Sequence, residues 1–238
     1  MPTNHEFLFR LAELMLDKEQ HILPVDGLYD DEQIGEHVKT IQIDSPYHQM
    51  LLEGVLTESV KDGKLHVSFT MEGYFHHILG EVIFEQSKGK DHVYLINLLE
   101  SNRLHGIEVG IEQCLIKEVT HGMLERLVFM IDEGGKAKTI VRWPLAYAFM
   151  QDNCSNVFHM LMEKPSTNDW NVIKHVRLIL LEHQKQHVVE QLDDVMKEST
   201  LLKDSIKKRI ESNDEDEFFD ALTLISIYSD LNALDEAK

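Results

Sequence analysis

The chain has 238 residues, of which 43% are hydrophobic and 27% charged, a composition typical of soluble globular proteins with one large or two small domains. No apolar run approaches the roughly 18 residues of a membrane span, and the N-terminus lacks the basic region of a secretory signal. The formal charge of −19 argues against general nucleic-acid binding, because phosphate backbones need clusters of Lys and Arg. Two cysteines without a CxxC motif favour a reducing, cytoplasmic location.

The N-terminal region reads as a series of helices. An amphipathic pattern predicts a helix over residues 6–18, and a connector leads to a short helix over 30–39. Ser45 and Pro46 then form a helix start, a capping hydroxyl followed by proline at the first helical position. We expect this third helix to run from Pro46 to Val60, with Gly54 inside it serving a close packing contact.

The stretch from Leu65 to Gln86 combines a strand with a large apolar helix. Leu65, Val67 and Phe69 alternate with polar residues, which predicts a half-buried strand after a turn at 62–63. After Thr70, a possible N-cap, the apolar residues recur at helical spacing. Two helices, a turn and a short strand are the outline of a winged helix, so residues 1–90 are predicted to form a winged-helix-like domain; a helical domain with one stray extended segment is the alternative.

From residue 91 onward the sequence shows no further strand pattern. Helical segments of about 10 to 18 residues follow one another, with a rough spacing typical of HEAT-like repeats but without a shared consensus. Within them, Asn168 or Asp169 is expected to cap a long helix that could continue to Met196. We therefore predict a mainly α fold, in which residues 91–238 form an irregular α-helical array.

The order of these parts resembles the region that follows the nucleotide-binding core in STAND-type ATPases of bacterial conflict systems. The residues that carry the resemblance lie over about 30–130, and they include Phe69, Thr70, Glu72, Tyr74 and Phe75. The resemblance implies a winged helix followed by a helical-repeat array.

The chain contains no G-x-x-x-x-G-K-[ST] loop, and residues 87–90 (Ser-Lys-Gly-Lys) lack its flanking glycine. An ATPase needs the backbone amides of that loop to bind phosphate. The resemblance therefore implies a stand-alone regulatory or sensor piece, a fragment, or a partner supplied in trans, such as an ATPase or effector.

Two histidine-containing patterns could bind a metal ion. His183 and His187 would share one helical face, with Glu190 nearby, but the glutamate that follows the first histidine in zincins is replaced by Gln184. Glu118 and His121 have the E-x-x-H spacing of di-iron bundles, yet no second such motif follows. We interpret the first as an exposed polar face and the second as a helix end, and predict no metal or cofactor.

The remaining candidates are single residues or pairs. His76 and His77 are expected to straddle the edge of the buried face of their helix, one hydrogen-bonded in the core and one solvated. Cys114 and Cys154 have no identifiable His/Asn partner and are interpreted as structural. Further along, Trp143 and Trp170 are interpreted as packing anchors, with exposure of Trp170 as the alternative, and the basic cluster over residues 203–209 as a solvated helix face.

The sequence shows no catalytic constellation, so we predict a non-catalytic protein–protein interaction module: an adaptor, sensor or regulatory subunit. A second hypothesis is a winged-helix regulator that binds nucleic acid through residues 46–60, although Lys61 and Lys64 are its main nearby cations. A third is a metal-dependent enzyme that uses His183 and His187.

Overall fold

The computed structural model describes residues 3–151, 154–163, 167–212 and 214–236. The chain is mainly α-helical, as predicted, and divides into two compact units, Met1–Lys117 and Glu118–Lys238. The division predicted from the sequence lay earlier, after residue 90. Two helices after that point are tied to the first unit, because Asn102 Nδ2 donates to the Leu16 carbonyl at 3.2 Å and Lys117 Nζ lies 2.8 Å from Glu81 Oε1.

The first unit mixes helices with a small sheet. Its elements are α1 (Asn4–Asp17), β1 (Leu23–Pro24), a 3₁₀ turn (Val25–Leu28), α2 (Gly35–Lys39), α3 (Pro46–Leu52), β2 (Leu56–Lys61), β3 (Lys64–Phe69), α4 (Glu72–Ser87), α5 (Val93–Ser101) and α6 (Ile107–Thr120), which extends three residues into the second unit.

Helix α1 begins with a capping box that fixes its first turn. Thr3 Oγ1 accepts from the Glu6 amide at 3.2 Å, and Glu6 Oε2 accepts from the Thr3 amide at 2.6 Å. This reciprocal pair holds the pKa of Glu6 below its ordinary value. The apolar face behind the cap is fully buried, so α1 forms one wall of the core of the first unit.

The sheet is antiparallel with the order β1-β3-β2, so β3 lies in the centre. Asp62 and Gly63 both have positive φ angles, as a two-residue hairpin turn requires. Val67 at the centre of β3 is fully buried, whereas Leu65 near the hairpin tip is exposed. The predicted strand is therefore confirmed. The alternation of apolar and polar residues in β3 corresponds to burial only where another element covers the sheet.

The prediction that a helix runs from Pro46 to Val60 is wrong, because α3 ends at Leu52 and β2 follows. Gly54 has a φ of +70°, and the Val55 and Gly54 amides donate to the Met50 and Leu51 carbonyls at 2.9 and 3.1 Å. This pattern is a Schellman motif, in which a left-handed residue ends the helix. Gly54 is thus the residue that ends the helix, and a Cβ built on it would meet no atom of the described residues within 4 Å, so the expected close packing contact is wrong.

Helix α4 carries the predicted apolar pattern, but it begins later than expected. Its N-cap is Met71, while the Thr70 amide donates to the Val55 carbonyl at 2.9 Å and so extends the hairpin. Gly80 in the middle of α4 allows close contact with α6, since a Cβ there would lie 2.4 Å from the Gln113 Cβ. This close approach joins α4 to α6 within the first unit.

The second unit has no strand within its described residues. Its helices are α7 (Glu125–Glu133), α8 (Gly135–Ile140), α9 (Arg142–Gln151), α10 (Cys154–Leu161), α11 (Thr167–Glu182), α12 (Gln186–Glu198), α13 (Leu201–Ile210) and α14 (Glu215–Glu236).

Helix α11 is central to the second unit, where it packs against α7, α9, α12 and α14. Trp170 in its first turn is fully buried, with its ring 6.0 Å from that of Phe158. The interpretation of Trp170 as a packing anchor is therefore confirmed. A central helix of this kind departs from the nearest-neighbour stacking of helical repeats, so the array remains a prediction.

Helix α11 begins at Thr167, before the expected caps, and the residues that precede it lie outside the described part of the chain. The continuation of α11 to Met196 is wrong, because the helix ends at Glu182. Gln184 takes a φ of +56°, and the Lys185 and Gln184 amides donate to the Leu180 and Leu181 carbonyls at 2.8 and 3.0 Å. This is a second Schellman motif, here with a non-glycine residue in the left-handed position.

Candidate interaction surface

Helices α13 and α14 pack together in the second unit, and each has a defined start. The Ser199 hydroxyl accepts from the Leu201 amide at 3.2 Å at the start of α13. Asp214 caps α14, since its Oδ1 accepts from the Asp216 and Glu217 amides at 2.9 and 3.4 Å. This cluster of acids lies at the positive end of the helix dipole.

Helix α14 is apolar on two faces, and only one of them is covered. Ala221, Leu224 and Ile227 are buried, as expected of a helix that packs on its own unit. The opposite side carries large apolar side chains that remain exposed: Phe218 (50%), Phe219 (65%), Leu222 (47%) and Ile225 (41%). A helix that is apolar all round is normally buried all round, so no residue in the described part of the chain covers the exposed face of α14.

The exposed face continues into a groove between α14 and α13. The groove has a volume of about 430 Å³. It is lined by four large apolar or aromatic side chains and three charged ones: Ile206, Ile210, Ile225 and Tyr228, with Lys203, Lys207 and Glu211. Ile210 is itself 51% exposed at the end of α13. We refer to the groove together with Phe218, Phe219 and Leu222 as the α13–α14 surface.

Charged residues surround the apolar part of the α13–α14 surface, and each lies beside a defined neighbour. Lys203 lies with its Nζ 5.6 Å from the centroid of the Tyr228 ring, towards the C-terminal part of α14. Lys207 stands one turn further along α13 and pairs with Glu211 at 4.0 Å. At the other end, Arg209 Nε lies 3.3 Å from Glu217 Oε2, which links the end of α13 to the start of α14.

The basic cluster over residues 203–209 is largely the solvated helix face that the sequence predicts. Lys203, Lys207 and Lys208 are exposed, but Arg209 is mostly covered and bound to acids of α14. The surface has a signal in the sequence of α14. The apolar residues of α14 occupy more positions around the helix than a single buried stripe needs, which indicates a second apolar face.

The structure does not bring His183 and His187 together on one helical face, which corrects that prediction. His183 lies in the break after α11, whereas His187 belongs to α12. The His183 ring instead packs against Trp143, with ring centroids 4.7 Å apart. Among the described residues, no three His, Cys, Asp or Glu side chains come together as a metal-binding group.

Glu118 and His121 are confirmed as a helix end. The Met123 and Gly122 amides donate to the Glu118 and Val119 carbonyls, which closes α6 with Gly122 in the left-handed region. The Glu118 carboxyl is buried beside Arg126, whose Nη1 donates to it. Burial raises the pKa of Glu118 to about 7, even though Arg126 acts in the opposite direction.

His76 and His77 divide as predicted between a half-buried and an exposed position. The expected hydrogen bond to the inner histidine is wrong: within the described part of the chain, His76 Nε2 is buried without a partner. A Cβ on Gly106 would lie 2.1 Å from this nitrogen, so the ring is tightly enclosed. Burial lowers the pKa of His76, which favours the neutral ring.

Both cysteines are buried, as expected of structural residues. Cys114 lies in the apolar stripe of α6 and Cys154 at the first position of α10. A helix start can lower the pKa of a thiol, but burial has the larger effect here and raises the pKa of Cys154 to about 11. The thiol of Cys154 is therefore protonated at neutral pH and a poor nucleophile.

A smaller polar cleft of about 340 Å³ lies in the first unit beside α1. Glu81 accepts from His5 Nε2 at 2.7 Å and from Lys117 Nζ at 2.8 Å. Although burial acts in the opposite direction, these two partners hold the pKa of Glu81 below its ordinary value. An ionised, doubly bound carboxylate joins three helices and is a poor general base, so this cleft has a structural explanation.

Comparison with known proteins gave no match, whether with family models, curated proteins or solved structures. Among the described residues, no helix has the length and apolarity needed to cross a bilayer. The candidate site therefore rests on the geometry of the α13–α14 surface.

Proposed function

We propose that this protein is a non-catalytic protein–protein interaction module that acts as an adaptor, sensor or regulatory subunit. The observation that carries the proposal is the second apolar face of α14, where Phe218, Phe219 and Leu222 are about half exposed or more. Large aromatic and aliphatic side chains at the centre of a surface are the usual anchors of protein interfaces. The charged residues around them would form the polar rim.

The resemblance to STAND-type regions agrees with this role and extends it. It suggests a partner in trans, such as a P-loop ATPase or an effector enzyme of a bacterial conflict or signalling system. The first unit supports the resemblance through its element order, in which α1, β1, α2 and α3 precede the β2–β3 hairpin. We propose that this order is that of a winged helix, in which α3 would be the recognition helix and the hairpin the wing.

Nucleic-acid binding by the same unit is the second candidate, and the side chains favour protein contact instead. The hairpin exposes Val60 (75%), and the end of α3 exposes Leu52 (73%). Of the cations at the hairpin turn, Lys64 Nζ already lies 3.7 Å from Asp26. A surface that binds DNA needs a cluster of Lys and Arg at this place.

The test of the proposed function is affinity capture from a native extract with three forms of the tagged chain, followed by mass spectrometry. Wild type and Leu178→Asp are expected to retain the same stoichiometric protein, whereas Leu222→Asp is expected to lose it. Leu178 is the matched control, since it is a leucine in a helix of the same unit with 49% exposure against 47% for Leu222. If no form retains a protein, or all three retain it equally, the proposal is wrong.

A further inference from the structure

Resting on the proposed function, we propose that the occupant of the α13–α14 surface is the same surface of a second copy of this chain. The two α14 helices would run antiparallel across a two-fold axis close to Leu222. Such an interface is isologous, so every contact away from the two-fold axis occurs twice with the roles of the copies exchanged. Two features of the surface support this arrangement, the apolar spacing along α14 and the distribution of charge around it.

The apolar step follows from the spacing along α14. Phe218, Leu222 and Ile225 are separated by four and three residues, so they form one stripe on the exposed side of the helix. With the two-fold axis at Leu222, this side chain meets its own copy, and Phe218 of one chain meets Ile225 of the other. The stripe of each copy therefore covers the stripe of the other over its full length. Each phenylalanine packs against an isoleucine of the other copy.

The electrostatic step selects the antiparallel direction. The start of α14 is acidic, with exposed Asp214 and Glu215, whereas the basic residue near its other end is Lys203 above Tyr228. Antiparallel helices place the acids of one copy beside Lys203 and Lys207 of the other. Parallel helices would place the acids of the two copies together, which is unfavourable.

The charge of the whole chain explains why this surface is suited to a second copy. At −19, two copies repel each other, so a stable contact must place cations at the interface. The α13–α14 surface supplies these cations as Lys203 and Lys207, whose side chains are exposed and on the same helix as the acid Glu211. Each copy thus offers both signs of charge on one surface, which is the complementarity that an isologous dimer requires.

The test is analytical ultracentrifugation of the purified full chain over a range of concentrations. Wild type is expected to dimerise reversibly, and so is Leu178→Asp. Leu222→Asp is expected to weaken the dimer by about tenfold or more, because it brings two carboxylates together on the two-fold axis. A wild-type chain that is monomeric at every concentration would overturn the proposal.

Two charge-reversal variants give a result that misfolding cannot imitate. One carries Lys203→Glu with Lys207→Glu, and the other carries Glu211→Lys with Glu215→Lys, all at exposed positions. Each variant alone is expected to be mainly monomeric, because like charges then meet across the interface. An equimolar mixture is expected to restore the dimer, since each reversed group then faces its opposite. Without that recovery the antiparallel arrangement is wrong.

The outcomes separate this inference from the proposed function. If wild type is monomeric but affinity capture retains a different protein in a manner that depends on Leu222, the surface binds another partner. The proposed function then stands and the inference fails. If wild type dimerises and its charge variants recover on mixing, the second copy is the occupant.

Discussion

Arg177 and Asp193 join α11 to α12 through a buried, two-point ion pair. Arg177 Nε donates to Asp193 Oδ1 and Nη2 to Oδ2, both at 2.7 Å, and both residues are less than a tenth exposed. The parallel geometry is that of a strong, charge-assisted pair. Because the chain turns at Gln184 between these residues, the pair fixes the direction in which α12 returns along α11.

Asp193→Ala is expected to destabilise the second unit by about 3–5 kcal/mol, since it removes one member of a buried, two-point ion pair while the Arg177 charge stays buried. The double variant Arg177→Met with Asp193→Leu is expected to be less destabilised than the single one, because it removes both buried charges. Both tryptophans of the chain lie in the second unit, so denaturant unfolding followed by tryptophan fluorescence reports on it directly. A cost below about 1 kcal/mol for Asp193→Ala would show that the pair is unimportant.

Glu118 is expected to make the stability of the second unit depend on pH. Burial raises the pKa of Glu118 to about 7 from an ordinary value of 4.5, so between these pH values the folded state keeps a proton that the unfolded state has released. Stability therefore falls as pH rises from 4.5 to 7, by at most about 3 kcal/mol. Below pH 4.5 both states are protonated and the contribution is constant.

Glu118→Gln is expected to remove this part of the pH dependence, because the amide does not titrate. The measurement is tryptophan-monitored urea unfolding of wild type and variant at several pH values between 4 and 8. The difference in stability should favour the variant progressively as the pH rises. Parallel profiles for the two proteins would contradict the raised pKa.

Tyr47 and Glu58 link α3 to β2 in the first unit. The Tyr47 hydroxyl donates to Glu58 Oε1 at 2.5 Å, and burial together with this carboxylate raises the pKa of Tyr47. Tyr47→Phe is expected to cost about 1.5–3 kcal/mol, the contribution of a hydrogen bond to a charged group. Glu58→Gln, which keeps an acceptor, should cost less.

The first unit contains no tryptophan, so these two variants need a probe that reports on it. Hydrogen exchange of the β2 and β3 amides is suitable, because Glu58 lies in β2 and loss of its bond to Tyr47 would loosen the hydrogen bonds between β2 and β3. Faster exchange in Tyr47→Phe, with little change in Glu58→Gln, is the expected pattern. Unchanged exchange in Tyr47→Phe would show that the hydroxyl adds nothing beyond packing.

The sequence predicts the helices of this fold well where their ends carry conventional signals. The Ser45–Pro46 start of α3 is found as expected, because a capping side chain acts locally. Helix ends are harder to predict when the residue in the left-handed conformation also fits the helical pattern of the sequence. Gly54 was assigned to a helix interior, and Gln184 carries no glycine signal at all.

The candidate surface shows a different limit of sequence analysis. Phe218, Leu222 and Ile225 are as apolar as the buried residues of α14, so composition cannot separate an interior face from an uncovered one. Only the packing of α14 on α11 and α13 shows which side is already covered. Conversely, His183 and His187 have a suggestive spacing, but spacing has meaning only on a continuous helix.

Gly80 and Gly73 provide a matched pair of substitutions in α4. Gly80→Ala is expected to destabilise the first unit by about 1–3 kcal/mol, since the new Cβ would lie 2.4 Å from Gln113 Cβ and 3.1 Å from the Cys114 amide nitrogen. Gly73→Ala meets no atom within 4 Å and should stabilise the helix by up to about 1 kcal/mol. Thermal unfolding followed by far-UV circular dichroism distinguishes the two, and a neutral Gly80→Ala would mean that α6 can move away.

Gln184→Gly is expected to stabilise the second unit by about 1 kcal/mol, because a left-handed conformation costs an L-residue about 1–2 kcal/mol and glycine nothing, less the entropy that glycine loses. Glu19 provides the matched control in the first unit. It has a φ of +53° after α1, and the Gln20 and Glu19 amides donate to the Met15 and Leu16 carbonyls in the same pattern. In tryptophan-monitored unfolding, Gln184→Gly should therefore raise the denaturant midpoint while Glu19→Gly leaves it unchanged. A lower midpoint for Gln184→Gly would mean that the Gln184 side chain stabilises the turn between α11 and α12. The same turn separates His183 from His187.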